Sequence, residues 1–221
     1  MDTIFNILVR TSNRPKYFNQ CMESILAQNY QKLKVIVSVD NSDDYKYVTQ
    51  WEKKYDKVFS ISTENLKNAK LRTTYFPKYK RRFPPAYWNL YFNRMYEECL
   101  DGFIIILDDD DAFYNEYSLN ILKYHIKTEF DLVFWRVLFP GGLIPNDIGW
   151  LKRPIPANIS GIGLSFHTRF IKDAQWQPYT FGDFRLADNL YDKIPRKIYL
   201  NNIITKVNRR FAGGYGRRDD L

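Results

Sequence analysis

The chain has 221 residues, a net charge of +8 and 17% aromatic residues. That length allows one domain with a sizeable core, and the absence of any apolar stretch of about 18 residues excludes a membrane-spanning helix. With only His125 and His167, and two cysteines at apolar helix positions, Cys21 and Cys99, a zinc site is not expected, and the cysteines read as reduced core residues.

Residues 4–9 read as a buried strand, followed by Ser12, Asn13 and Pro15, which suit a loop and a helix start. Phe18, Cys21, Met22, Ile25 and Leu26 then recur at helical spacing through Gln28. A β-rich run, LKVIVSV at 33–39, ends in the polar loop Asp40, Asn41, Ser42, Asp43. A helix at 46–55 and a short strand at 58–61 complete β-α-β-α-β, which predicts a parallel sheet with right-handed crossovers. Residues 64–85, basic and aromatic, read as a surface excursion whose cations, Lys78 to Arg82, form a solvated charge run. A helix is expected at 86–100, a strand at 103–107, a helix at 116–127 and a strand at 130–135. A turn follows at Pro140-Gly141-Gly142, then a strand at 161–166 and a helix at 183–191. Residues 206–221, rich in Arg and Gly, read as a flexible basic tail, and no internal repeat is present.

The most informative feature is the run Asp108-Asp109-Asp110-Asp111 directly after the apolar FIIIL at 103–107. Five apolar residues without alternation describe a strand buried on both faces. A carboxylate cluster at its C-terminal end lies where open α/β sheets bind ligands. Four like charges repel one another, so a positive partner is expected, and a divalent cation on a phosphate-bearing substrate is the natural candidate. Asp40 ends a second strand. The two acidic loops would converge on one edge, one for a nucleotide base and the other for a metal-bound diphosphate.

Three stretches in order resemble family 2 glycosyltransferases: LVRTSNRP with CMESILAQ at 8–15 and 21–28, VIVSVDNSD at 35–43, and DGF through DDDD at 101–111. The resemblance covers residues 1–125 well and the remainder loosely. It implies an α/β GT-A fold, a mainly parallel twisted sheet flanked by helices. The whole chain would be a single domain, with a nucleotide-binding half at 1–125 and an acceptor-side half at 126–205. It further implies that Arg10, Thr11, Arg14, Asp40, Asp108, Asp109 and Asp110 serve the nucleotide, Thr11 and Arg14 flanking the base and Asp40 accepting from a uracil imide N–H; Arg72, outside the matched motifs, is a candidate grip for the diphosphate or an acidic acceptor. Asp108, Asp110 and Asp111 would hold Mn²⁺ or Mg²⁺. The chain would then be a metal-dependent, inverting transferase moving a sugar from a UDP-sugar to a glycan hydroxyl. Asp183, after Gly182 at a helix start, would be the catalytic base; its bland counterpart is a helix N-cap. Asp188 is the fallback, and His167 and Asp147 are candidates for the acceptor side.

The chain departs from the family pattern at Arg10, where proline is usual, and at Ser12, Val39 and Asn41. It departs again in the segment WNLYFNR at 88–94. A nucleotidyltransferase of related fold would carry glycines in the first loop, and residues 10–15 contain none. A nucleic-acid-binding module would suit the charge, the tyrosines and the Arg-Gly tail, but the acidic quartet would repel phosphate, so no nucleic-acid partner is expected. The acidic start, Met1-Asp2-Thr3, lacks the basic region of a signal peptide. A cytoplasmic location with peripheral membrane contact through the basic surface is the expectation.

Overall fold

The computed structural model describes residues 3–68 and 70–208. Strand β1 (Phe5–Thr11) is buried at every residue. Helix α1 (Pro15–Leu26) begins on Pro15, whose fixed φ suits a first turn, and buries Phe18, Cys21, Met22 and Ile25. Strand β2 (Leu33–Val39), helix α2 (Tyr45–Lys54) and strand β3 (Val58–Ser62) follow, and β1, β2 and β3 run parallel as expected.

The excursion at 64–85 has structure of its own. Strands β4 (Thr74–Phe76) and β5 (Arg81–Phe83) form a separate antiparallel ribbon. Its turn carries Lys80 in the left-handed region at φ 49. Helix α3 (Leu90–Tyr96) is shorter than the expected 86–100. A 3-10 turn at Tyr87–Asn89 precedes it, and after Tyr96 the bonding tightens to i→i+3, as in Glu98 N–H to Met95 O.

Strand β6 (Phe103–Asp108) lies beside β1 in parallel register, with Arg10 opposite Asp108. Its apolar run serves two cores. Phe103, Ile105 and Leu107 enter one, with α1 and Trp135; Ile104 and Ile106 enter the other, with Phe92, Trp176 and Phe184. The period of two explains the absence of polar residues between them. The short strand β7 (Asp111–Phe113), helix α4 (Ser118–His125) and strand β8 (Asp131–Phe139) come next. Strands β9 (Gly142–Ile144) and β10 (Leu164–His167) lead to helix α5 (Gly182–Lys193) and strand β11 (Arg196–Val207).

The large sheet has the order β3-β2-β1-β6-β10-β8-β11-β7, with β9 on β8. Its first four strands are parallel, whereas β10 is antiparallel to both β6 and β8, and β7 is antiparallel to β11. The strand expected from residue 161 begins at Leu164, because Gly161–Gly163 form a 3-10 turn. No element was expected at β11. Its register slips between Leu200 and Ile203, where Asn201 and Asn202 are exposed, and the bulge interrupts the apolar alternation that marks a strand. Lys206 and Val207, assigned to the tail by sequence, belong to this strand. The rest of the Arg-Gly run, residues 209–221, lies outside the described residues. Both cysteines are free, Cys21 buried and Cys99 half-buried. No described helix is long and apolar enough to cross a membrane.

Gly102 sets the entry of β6. A Cβ there would stand 2.3 Å from the carbonyl oxygen of Ile4, which is backbone and cannot rotate away. Gly102→Ala is therefore expected to cost about 1–3 kcal/mol, the range of overpacking. A urea midpoint equal to that of the wild type would refute this.

Candidate active site

Parallel register brings the C-terminal ends of β2, β1 and β6 to one edge: Thr11 lies opposite Val39, and Arg10 opposite Asp108. Asp40 and the remaining aspartates follow these ends directly. The strand order places the successors of β1 on its two sides, β2 on one and β6 on the other, so the loops diverge there and open a crevice.

The positive partners of the aspartate run come first from the chain itself. Arg10 donates from Nε and Nη2 to the two Asp108 oxygens, at 2.7 and 2.8 Å, and its guanidinium lies 4.2 Å from the Phe92 ring centre. Arg14 pairs with Asp109 and, at 3.0 Å, with Asp110. The four carboxylates have different surroundings. Asp109 points inward, is fully buried, and accepts from Thr11 Oγ1 at 2.9 Å and from the Ser12 N–H at 3.3 Å. Burial pushes its carboxyl up to about 8 against the pull of Arg14, with Asp110 and Asp108 adding to the rise. Asp111 accepts the Asp108 N–H at 2.8 Å, and burial, then Asp108 and Asp110, raise its pKa.

One oxygen each from Asp108, Asp110 and Asp111 lie within 4.8 Å of one another. Three anionic oxygens at that spacing suit a hard divalent ion. The residues fit the ion expected from sequence, and Asp109 is not part of the set.

These three carboxylates line a cavity of about 340 Å³ together with Arg10, Trp88 and Asp183. Asp183 is carried by the first turn of α5. Its Oδ2 accepts the Gly161 N–H at 3.0 Å. Burial raises its pKa, the Gly161 bond opposes this, and Asp108 adds to the rise. The N-cap position of α5 is Phe181, one residue before Gly182, so Asp183 is not the N-cap itself. Asp183 also lines the cavity that holds the aspartate cluster.

The other sequence candidates lie elsewhere. Thr11 sits beneath the edge, bonded to Tyr47 and Asp109. Asp40 is buried, accepting from Tyr91 Oη at 3.1 Å and lying 3.3 Å from Lys67 Nζ. Arg72 is exposed and outside the cavity. His167 is at the opposite end of β6, opposite Phe103, five residues and roughly 16 Å from Asp108. It is buried against the Phe103 ring, Nδ1 accepts the Arg169 N–H, and burial lowers its pKa. Asp188 is buried and held by Lys78, Tyr79 and Arg153. Asp147 is exposed and pairs with Arg136 at 2.7 Å. The fold does not bring His167, Asp188 or Asp147 to the cleft. Lys78 also departs from the expected solvated run, since it bridges Asp188 and Asp192.

Sequence reasoning missed the aromatic walls. Trp88 lies in the WNLYFNR segment already marked as unusual, so a signal existed. Trp176 lines the same cavity from a loop without any motif.

The profile of Glycosyl transferase family 2 matches residues 6–146. No curated protein matches the chain in sequence. Among solved structures, S. aureus TarS 1-349 superposes with a TM-score of 0.66 at 17% identity, over 93% of this chain and 60% of that one. The same TarS fragment in complex with UDP-GlcNAc gives 0.65 at 15% identity, over 96% and 60%. The mannosyltransferase PcManGT from Pyrobaculum calidifontis, in complex with GDP-Man and Mn²⁺, gives 0.63 at 15% identity, over 91% and 56%. The chain thus spans about three-fifths of the length of these structures, and the likeness shows a shared GT-A fold.

Proposed function

The chain belongs to glycosyl transferase family 2, and on that premise we propose that it transfers a sugar from a UDP-sugar to a hydroxyl of a glycan acceptor, with inversion. The observation that carries this reading is that the three clustered carboxylates and Asp183 line a single cavity.

Asp183 takes the proton of the acceptor hydroxyl. The oxygen so freed attacks the anomeric carbon, and the bond from that carbon to the diphosphate breaks, its electron pair leaving with the nucleotide. A carboxylate whose pKa burial has raised is a stronger base than a solvated one. The imide contact assigned to Asp40 rests on the family resemblance, since in the fold Tyr91 and Lys67 hold the buried carboxylate. Arg10 and Arg14 supply fixed positive charge beside the diphosphate position. Asp108, Asp110 and Asp111 would hold Mn²⁺ or Mg²⁺, which when bound neutralises charge on the departing diphosphate.

The test is release of UDP from a panel of UDP-sugars, with GDP-sugars as the comparison, with and without Mn²⁺. Metal-stimulated UDP release supports the reading. Release from no nucleotide sugar, with or without metal, would overturn it. Asp110→Ala removes one oxygen of the trio and leaves Arg14 its Asp109 partner. It is expected to weaken Mn²⁺-dependent UDP binding about 10–100-fold, taking the scale known for altered metal sites. Calorimetry showing equal affinity would remove Asp110 from the ligand set.

A further inference from the structure

A second cavity, also about 340 Å³, adjoins the first and shares Arg10, Trp88, Asp108 and Asp183 with it. Its remaining walls differ in kind. Ala86, Ala157, Ile159, Phe181 and Phe184 give it apolar surface beside the polar Asn89, and the buried Thr180 Oγ1 in its wall has no hydrogen-bond partner. Apolar walls with a few polar atoms are what the face of a pyranose ring requires.

Phe181 is the unusual element. It is a non-glycine residue in the left-handed region, at φ 59 and ψ 34, and it immediately precedes Gly182 and Asp183. An aromatic residue held there costs backbone strain, which surrounding structure must offset. Phe181 is 38% exposed and packs against Phe83 with ring centres 5.8 Å apart, so it is not a core residue. The guanidinium of Arg81 lies 4.8 Å from the Phe181 ring centre and 5.9 Å from that of Phe83. Nearby cations are engaged by carboxylates: Lys78 and Arg153 both bridge Asp188 and Asp192. Arg81 has no carboxylate partner among the described residues. Its planar group lies against the ring of Phe181, which lines the cavity.

Resting on the transferase reading above, we propose that this second cavity is the acceptor site and that it takes a sugar residue bearing a carboxylate or phosphate, received by Arg81. Electrostatics fixes the orientation. Arg10 in the same wall is already held by both Asp108 oxygens, so with the neutral hydroxyl at Asp183 the anionic group is left to Arg81. Phe181 and Trp88 supply the ring faces on which the sugar rests.

The test is binding first and transfer second. Ligand-observed NMR compares a uronate-bearing disaccharide, a sugar phosphate and the matching neutral sugar, without donor, on the wild type and on Arg81→Gln, Arg82→Gln and Phe181→Gly. Arg82 alternates with Arg81 along β5 and faces the other side of the ribbon, so its variant controls for net charge. Glycine suits the Phe181 backbone and removes only the ring. At least one anionic sugar is expected to bind about 10-fold tighter than the neutral one, and which of the two does so separates carboxylate from phosphate. Arg81→Gln should abolish that preference and Arg82→Gln should keep it, while Phe181→Gly should weaken anionic and neutral sugars alike. Equal binding of anionic and neutral sugars, or a preference that survives Arg81→Gln, overturns the proposal whatever the transfer assay shows. Selective anionic binding with no UDP release from any donor supports the site and instead overturns the transferase reading.

Discussion

Asp183→Asn is expected to bind the nucleotide sugar as the wild type does and to lose transfer by about 10²–10⁴-fold, the span general-base catalysis supplies. The amide has nearly the shape of the carboxylate and its oxygen can still accept the Gly161 N–H seen at 3.0 Å, so the start of α5 and the cavity wall are kept. What disappears is the ability to take a proton. The base must be ionised to act, and burial sets its pKa above the ordinary 3.8, with Asp108 adding to the rise. The wild-type rate should therefore fall on the acid side at a pH above 3.8, and the residual activity of the variant should lack that limb. Stability gives a second, opposite readout. A carboxyl whose folded pKa exceeds its unfolded value stabilises the fold fully only below the unfolded value, and that contribution is lost as pH rises through the folded one. At neutral pH the asparagine variant should thus melt no lower than the wild type. Equal turnover, or transfer lost together with donor binding, would remove Asp183 from the base role.

Arg14→Met should destabilise the fold by about 1.4 kcal/mol more at pH 9 than at pH 6, the most that one proton contributes over the unit above a pKa of about 8. Arg14 is 2% exposed and pairs with the fully buried Asp109. Methionine fills much of the arginine stem volume but leaves the Asp109 carboxylate with only Thr11 and the Ser12 N–H. The loss should carry a pH signature. Native Asp109 gives up its proton near 8, and without Arg14 its folded pKa must lie higher still. Below 8 both proteins hold that proton and the extra penalty is absent; as pH rises past 8 only the native one releases it, and the gap widens. Arg14→Met with Asp109→Asn should recover most of the loss. Denaturant unfolding at pH 6 and pH 9 decides this, and a pH-independent gap with no recovery in the double variant would contradict it.

How far the sequence reached depends on the kind of signal each element carries. Strand β6 was legible because a run buried on both faces has no polar interruptions, and its two core memberships alternate residue by residue. Helix α1 was legible through Pro15 and the spacing of its buried residues. Strand β11 was not, since the bulge at Asn201 and Asn202 breaks the alternation and its order comes from pairing with β8 and β7. The 74–83 ribbon was hidden for a related reason: two three-residue strands are too short for any period to show.

The site divides in the same way. Composition and order alone determined that acidic loops end two parallel strands, because strand ends and charge runs are local properties of the chain. Only the folded chain decided the rest. It turned Asp109 inward to Arg14 and left Asp108, Asp110 and Asp111 as the cluster. It put His167 at the far end of β6, tied Asp188 to Lys78 and Arg153, and brought Trp88, and from the second half Trp176 and Asp183, to the aspartates. Those outcomes depend on distances between residues some 20 to 110 positions apart, set by strand register and helix packing, and no local pattern in the chain encodes them.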